Sequence, residues 1–295
     1  MTNIASSMII VEDTASARAA LADARRHGAS VALVPTMGSL HEGHLQLVDE
    51  AKRHASLVVM SVFVNPLQFG PHEDFARYPR DPDGDALKAE RRGVDILFMP
   101  SAEQMYSGER RVVITPLALA DRWEGASRPG HFTGVLTIVA KLFNIVQPDA
   151  AYFGQKDWQQ ATLVRRMVRD LDFPIDLAVV PTVRDADGLA LSSRNVYLSE
   201  PERAQALGLS AALDAAHDAF VAGERDAASL TARIETVLAM YQGLAVEYIA
   251  AVEPDTLAPV ARVDARTIVA LAARAGATRL IDNIVLGQGL RAGSA

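Results

Sequence analysis

The chain has 295 residues, 49% hydrophobic and 22% charged, with 29 Lys+Arg against 36 Asp+Glu and a formal net charge of −7. That length holds one large α/β domain, or one domain with a smaller companion, and the apolar content excludes wholesale disorder. The acidic balance argues against a dedicated nucleic-acid binder, and the absence of cysteine excludes disulfides, thiolate metal sites and a thiol nucleophile.

Residues 1–13 lack a basic leader and reach Glu12 and Asp13 after a short apolar run, so no secretory signal is expected. Apolar, often β-branched runs at 31–34, 57–64, 94–99, 150–153 and 175–180 predict strands covered on both faces. Between them, 43–54, 83–92, 132–146 and 157–171 read as helices. This alternation predicts an α/β fold, a Rossmann-like parallel sheet with helices on both faces, whose ligand sits beyond the carboxyl ends of the strands. Lys141 interrupts the best membrane-span candidate, 135–146, well short of the roughly 18–20 apolar residues a span needs. A soluble, cytoplasmic chain is therefore expected.

After Pro181 the rhythm changes. Two Ala-rich helices at 200–222 and 226–241 are followed by strands at 246–252, 267–271 and 278–284, which predicts a smaller α+β unit. Asp185, Asp187 and Gly188 mark a loop at the boundary, dividing the chain into domains 1–182 and 183–295. The glycine-rich tail, 287–295, is expected to fray.

The run Pro35-Thr36-Met37-Gly38-Ser39-Leu40-His41-Glu42-Gly43-His44 follows a buried strand and opens a helix. A helix start offers unpaired N–H groups and partial positive charge, which suits a phosphate. Gly43 lets backbone approach a ligand closely, and His41 and His44 can aim imidazole donors at one group. A zinc pair would want further ligands, and no cysteine is available. Lys156 stands out by composition, because only four of the 29 basic residues are lysine. It follows the strand at 150–153 and the turn residue Gly154, on the ligand-facing edge. Gln68 and Gln160 each offer a donor and an acceptor without charge, and Met37 offers an apolar contact. Glu124, Arg128 and His131 lie within eight residues and can orient one another. Asp81-Pro82-Asp83-Gly84-Asp85 is the best source of a metal ligand, although acids opening a helix also suit its dipole.

The string His41-x-Gly43-His44 resembles the H-x-G-H signature of the nucleotidyltransferase superfamily that includes class I aminoacyl-tRNA synthetases. The longer string from Pro35 to His44 is similar to the pantothenate synthetase (pantoate–β-alanine ligase) family. Four further blocks agree in order and spacing: Phe63-Val64-Asn65-Pro66-x-Gln68-Phe69, Arg128-Pro129-Gly130-His131-Phe132, Phe153 to Gln160, and Asp187 to Asn195. The resemblance implies ATP-dependent condensation of (R)-pantoate with β-alanine through a pantoyl adenylate, giving pantothenate, AMP and pyrophosphate. It assigns catalysis to His41, His44, Lys156, Ser192, Ser193 and Arg194. ATP contacts fall to Pro35, Thr36, Met37, Gly38, Gly43, His44, Gly154, Lys156, Asp157, Val183, Leu191 and the Ser192-Ser193-Arg194 loop. Met37, Gln68 and Gln160 are assigned to pantoate. Asn65, Tyr78, Glu124, Arg128 and His131 lie near the substrate.

The resemblance also implies Mg²⁺ with ATP as co-substrate, held by Asp83 or Asp85, although Gly84 breaks the adjacent acids of relatives. Domain 1–182 becomes the nucleotide- and pantoate-binding part and 183–295 a lid, in a homodimer with no nucleic-acid partner. The competing readings are an adenylyltransferase of the same superfamily, a catalytically silent nucleotide-binding module, and a fragment of a tRNA-binding synthetase. The amides at Gln68 and Gln160 speak against the first and the intact signature residues against the second. The acidic charge and the missing anticodon-binding domain oppose the third.

Overall fold

Strand β2 (Val31–Thr36) is an apolar run that buries residues on both of its faces, as a central parallel strand must. In the computed structural model, which describes residues 8–109 and 111–290, it lies inside a six-stranded parallel sheet. The other strands are β1 (Ile9–Val11), β3 (Leu57–Val62), β4 (Ile96–Phe98), β5 (Ala150–Gly154) and β6 (Asp176–Val180), in the order β1-β4-β3-β2-β5-β6. Sequence pattern located β2 to β6. It missed β1 and the helix after it, α1 (Thr14–Arg26), whose cap is legible: Asp13 accepts N–H bonds from Ala15 and Ser16.

Helices α2 (Glu42–His54) and α3 (Pro82–Arg92) cover one face, packing Leu47, Val48, Ala51 and Ala89 against Ala32, Val34, Val58, Met60 and Leu97. Two short helices, α4 (Ala102–Met105) and α5 (Glu124–Ser127), precede α6 (His131–Val146), which packs with α1 and β2. Helix α6 is buried nearly all round. Its continuous apolar character therefore belongs to a core helix, and no described helix is long and apolar enough to cross a membrane.

The chain order reverses between β2 and β5, where a parallel sheet opens a ligand crevice at its carboxyl edge. Pairing of β2 with β5 extends only to Leu33 with Ala151, whereas pairing with β3 continues to Thr36 with Val62. Pro35, which has no N–H to give, thus sits where β2 has lost its β5 neighbour.

The described chain divides into two compact units. One takes in the residues up to Gly154 together with Leu163–Val180; the other takes in Gln155–Thr162 and the residues from Pro181 on. Helix α7 (Trp158–Asp170) is shared between them. The second unit contains α8 (Glu200–Val221), α9 (Ala227–Leu238) and an antiparallel sheet of β7 (Leu244–Val252), β8 (Ile268–Ala275) and β9 (Thr278–Val285). Ser199 and Glu202 form a reciprocal cap that starts α8. Leu209, Leu213, Leu230, Ile234, Leu271 and Ile284 form the centre of its core. Strand β8 runs to Ala275, past the expected 271, because its alanines pair with both neighbours despite weak strand propensity. Residues 287–289 are hydrogen-bonded to Ala265 and Val285 rather than frayed; the last five residues, like Met1–Ser7, lie outside the described ones.

Candidate active site

The loop from β2 to α2 is shaped by three polar contacts. Thr36 donates its hydroxyl to the Ser61 carbonyl (2.7 Å) and receives the Gly38 N–H (3.2 Å). Gly38 (φ 82°) and Ser39 (φ 51°) both lie in the left-handed region. A Cβ at Gly38 would stand 2.8 Å from the Asp85 carboxylate and 2.9 Å from Val62, so glycine is required there twice over. The bend exposes two backbone N–H groups, and Asp85 collects both: Ser39 donates to Oδ2 (2.8 Å) and Leu40 to Oδ1 (2.6 Å). Lys88 donates to the Leu40 carbonyl (2.9 Å) from the next turn of α3. Asp85 is 1% exposed, and burial pushes its carboxyl above the usual range against the opposing pull of the two N–H bonds.

This clamp delivers His41 to the N-cap of α2 and His44 to its first turn. Their rings stack with centroids 4.0 Å apart. The His41 N–H points at His44 Nδ1 (3.4 Å), which leaves Nε2 as the protonated nitrogen of a neutral His44. Gly43 lies beside them in the first turn of α2, and Pro35, Thr36 and Met37 lead into the bend.

A second group gathers around the 3-10 turn Pro66–Gln68. Asn65 donates to Gln68 Oε1 (3.0 Å) and to the Gly134 carbonyl (3.1 Å), and accepts from the Tyr106 hydroxyl (2.7 Å) and the Leu67 N–H (3.2 Å). With its oxygen held, Gln68 turns its NH₂ to the Met37 sulfur (3.0 Å). Gln68 and Met37, assigned to one substrate by resemblance, are therefore neighbours. Helix α6 presses against this turn so closely that a Cβ on Gly134 would overlap the Leu67 carbonyl.

Behind the turn, Arg128 forms a two-pronged pair with Glu73 (Nε–Oε1 2.9 Å, Nη2–Oε2 2.6 Å) and donates to His131 Nε2 (3.0 Å). With Nε2 accepting, His131 Nδ1–H donates to the Gln68 carbonyl (2.8 Å). Burial, together with the Arg128 charge, holds His131 down at about 4, so it is neutral at pH 7. Glu124 is buried at the start of α5, and Tyr78 is buried edge-on against Phe69 (5.7 Å). Neither Glu73 nor Tyr106 was expected; their partners lie 55 and 41 residues away, and no local pattern signals them.

The remaining expected residues fall in the second unit, save Gly154, which ends β5. Lys156 sits in the 3-10 turn Gln155–Asp157, 3.4 Å from the Asp157 carboxylate, and Gln160 lies on the first turn of α7. Gln68 and Gln160 thus belong to different units. Val183 and Leu191 face each other across a hairpin (Leu191 N–H to Val183 carbonyl, 2.9 Å) closed by Gly188 (φ 93°). Arg203 pins the hairpin tip through Asp185 and Asp187 (2.7 Å each). Ser192 leaves this hairpin as the cap of a 3-10 helix, Ser193–Tyr197, accepting the Arg194 N–H (3.3 Å).

Among the described residues, no group of three or more His, Asp or Glu is arranged to hold a metal. In the acidic stretch, Asp81 caps α3 through the Gly84 N–H (3.1 Å), Asp83 is exposed in its first turn, and Asp85 is spent on the loop.

A parallel sheet with a glycine-bent helix start at its reversal point defines an α/β protein of the nucleotide-handling kind. The family model for pantoate-beta-alanine ligase matches residues 9–285, and the chain belongs to that family. It is 51% identical over 279 residues to the pantothenate synthetase of Moorella thermoacetica, covering 95% of this chain and 99% of the relative. The crystal structure of pantothenate synthetase from Thermus thermophilus superposes with a TM-score of 0.91 at 48% identity, covering 95% and 99% of the two chains. Pantoate-beta-alanine ligase from Francisella tularensis, solved with β-γ ATP and β-alanine, gives 0.78 at 32% identity, covering 97% and 100%.

Proposed function

We propose that this chain condenses pantoate with β-alanine in two steps at the residues described above. A pantoate carboxylate oxygen attacks the α-phosphorus of ATP, the bond to the β-phosphate oxygen breaks, and pyrophosphate leaves with that electron pair. The β-alanine amine, its ammonium form having lost one proton, then attacks the acyl carbon of the adenylate, AMP departs, and the nitrogen gives a second proton to solvent while keeping one as the amide N–H. Neither step needs a protein nucleophile. What the protein supplies is orientation and donors aimed at growing negative charge.

In this reading His44, through Nε2–H, and His41 donate to the phosphate oxygens from the start of α2. Gln68 and Met37 receive pantoate, the amide reading its oxygens and the sulfur its methyl groups, with Gln160 as a further amide. Asn65 and His131 fix Gln68, the one through its side chain and the other through its carbonyl. Lys156, Ser192, Ser193 and Arg194 hold the departing pyrophosphate, and residues 183–295 act as a lid. Mg²⁺ accompanies ATP and neutralises its phosphates, with Asp83 as the protein ligand. The observation that supports this reading is the Asp85-clamped bend, which carries Met37 against the Gln68 amide and leads into His41 and His44 at the start of α2.

The reading places the enzyme in the cytoplasm as a homodimer. The segment 111–117 offers a surface for a second copy, since Val112 (85%) and Leu117 (86%) are strongly exposed.

The test is ATP–pyrophosphate exchange with magnesium and a panel of small hydroxy acids, β-alanine omitted. Exchange that requires pantoate supports the adenylate. Exchange with a different acid keeps the chemistry and replaces the substrate, and its absence in protein shown to bind ATP removes the adenylation step. Identical small-angle scattering with and without nucleotide would count against a lid.

A further inference from the structure

Strand β9 carries a polar pair, Asp282-Asn283, in the middle of an otherwise apolar run, and both residues are 3% exposed. Alternation sends them to opposite faces. Asp282 shares its face with Leu280 and Ile284, and Asn283 lies on the side where Ile281 and Val285 are only half-buried. Buried polar groups in a small sheet cost stability unless they are fully paired, so what pairs them is informative.

Asp282 takes a two-pronged bond from Arg184 (2.6 and 2.8 Å), and Arg184 also donates to the Gly188 carbonyl (3.1 Å) across the hairpin that leads to Ser192. Asn283 donates to two successive carbonyls, Gln155 (3.0 Å) and Lys156 (2.8 Å), while its oxygen lies 3.4 Å from the Gln155 amide. One strand thus grips, from its two faces, the turn that carries Lys156 and the hairpin that carries the Ser192–Arg194 segment. All of these residues belong to the second unit.

We propose that Asn283 is a positioning residue for adenylation: it fixes the main chain at Lys156, so that the lysine and the Ser192–Arg194 segment are held in register by β9. This rests on Lys156 serving the triphosphate, as read above. Its effect is confined to the half-reaction in which pyrophosphate leaves. Aminolysis of a finished adenylate involves no triphosphate and does not depend on it.

The test compares Asn283→Asp with Asn283→Ser. The first keeps the volume but sets a carboxylate against two carbonyls; the second is too short to span both. Expected are a fall of at least tenfold in the kcat of pantoate-dependent ATP–pyrophosphate exchange, and conversion of synthetic pantoyl adenylate and β-alanine within twofold of the parent. With ¹⁵N-lysine labelling the chain gives four backbone lysine signals, and only that of Lys156 is expected to move. Normal exchange in a folded variant overturns the proposal, as does an equal loss in both half-reactions or a shift of all four signals. Failure of both variants to fold makes Asn283 a residue of the fold and overturns it too. Lys156→Ala is the control: if it exchanges normally, the role given to Lys156 fails, whereas a dead Lys156→Ala beside a normal Asn283→Asp rejects the role of Asn283 alone.

Discussion

At Asp85 one carboxylate takes the N–H groups of two consecutive residues at a bend that no helix or strand could satisfy. Hydrogen bonds to a charged acceptor are each worth about 1.5–3 kcal/mol. Burying the carboxylate offsets part of the two bonds, so Asp85→Ala is expected to lower unfolding free energy by about 2–4 kcal/mol in urea titration, and to slow exchange through a loosened His41–His44 loop. An unchanged urea midpoint would remove the clamp. For His44→Ala the fold should stand, while turnover falls by about 10²–10³-fold, the loss typical of a donor to transition-state charge. Normal turnover in a folded His44→Ala would exclude it from the mechanism. His131 gives the pH dependence. Its folded value is near 4, below the ordinary 6.5, so between these values the unfolded chain binds the extra proton. Its contribution is complete above pH 6.5 and shrinks by about 3 kcal/mol as pH falls to 4. His131→Asn should flatten that part of the stability–pH curve, and an unaltered slope would contradict the assignment.

Among the elements, α6 and the Pro66–Gln68 turn show how a helix can set a neighbour's position by close backbone approach as well as by a side chain. Alanine normally favours a helix over glycine by about 1 kcal/mol. At Gly134 the sign should reverse, because a methyl group there overlaps the Leu67 carbonyl. Gly134→Ala is expected to destabilise by about 1–3 kcal/mol and to raise the KM for pantoate by displacing Gln68. A gain in stability would show that the turn gives way freely. The same element marks the limit of sequence reading. The helix itself was plain from its apolar run, but nothing in 132–146 says that its single glycine, Gly134, faces a loop 67 residues earlier. Strands β2 to β6 were legible because their burial writes continuous apolar runs. Strand β1 has three residues and α1 a weak apolar stripe, so neither stands out from the noise. The site was legible where its residues are consecutive, as from Pro35 to His44. It was illegible where one side chain meets another far along the chain, as Glu73 meets Arg128 or Asn283 meets Lys156, since no local periodicity encodes such a pair.

For the whole molecule, the assembly state is the property least written in pattern. Exposed apolar side chains are common on monomers, but Val112 and Leu117 lie five residues apart on one extended segment, and Ile114 between them is tied to Thr137 of α6 (3.0 Å). In the proposed homodimer this strip is the surface that meets the second copy. Light scattering is expected to give twice the 31.7 kDa chain mass, and Val112→Asp with Leu117→Asp to halve it. A parent that is already monomeric would reject the interface. Composition and motif order together point to the family and its chemistry. They could not read the return of Gln155–Thr162 to the second unit, because that return depends on partners contributed by β7 to β9.

The grip of β9 on Lys156 also has a consequence in time. The residues it joins lie 127 positions apart. At about 5–20 residues per second on the ribosome, the turn at 155–157 waits roughly 6–25 s for its anchor to be made. The parallel sheet is complete once Val180 has emerged, so a nascent chain can own its histidine loop long before its lysine is set. Under the proposed role of Asn283, the emergence of β9 is the step that arms adenylation, and a polypeptide that stops short of it would be a nucleotide fold without a firing pin.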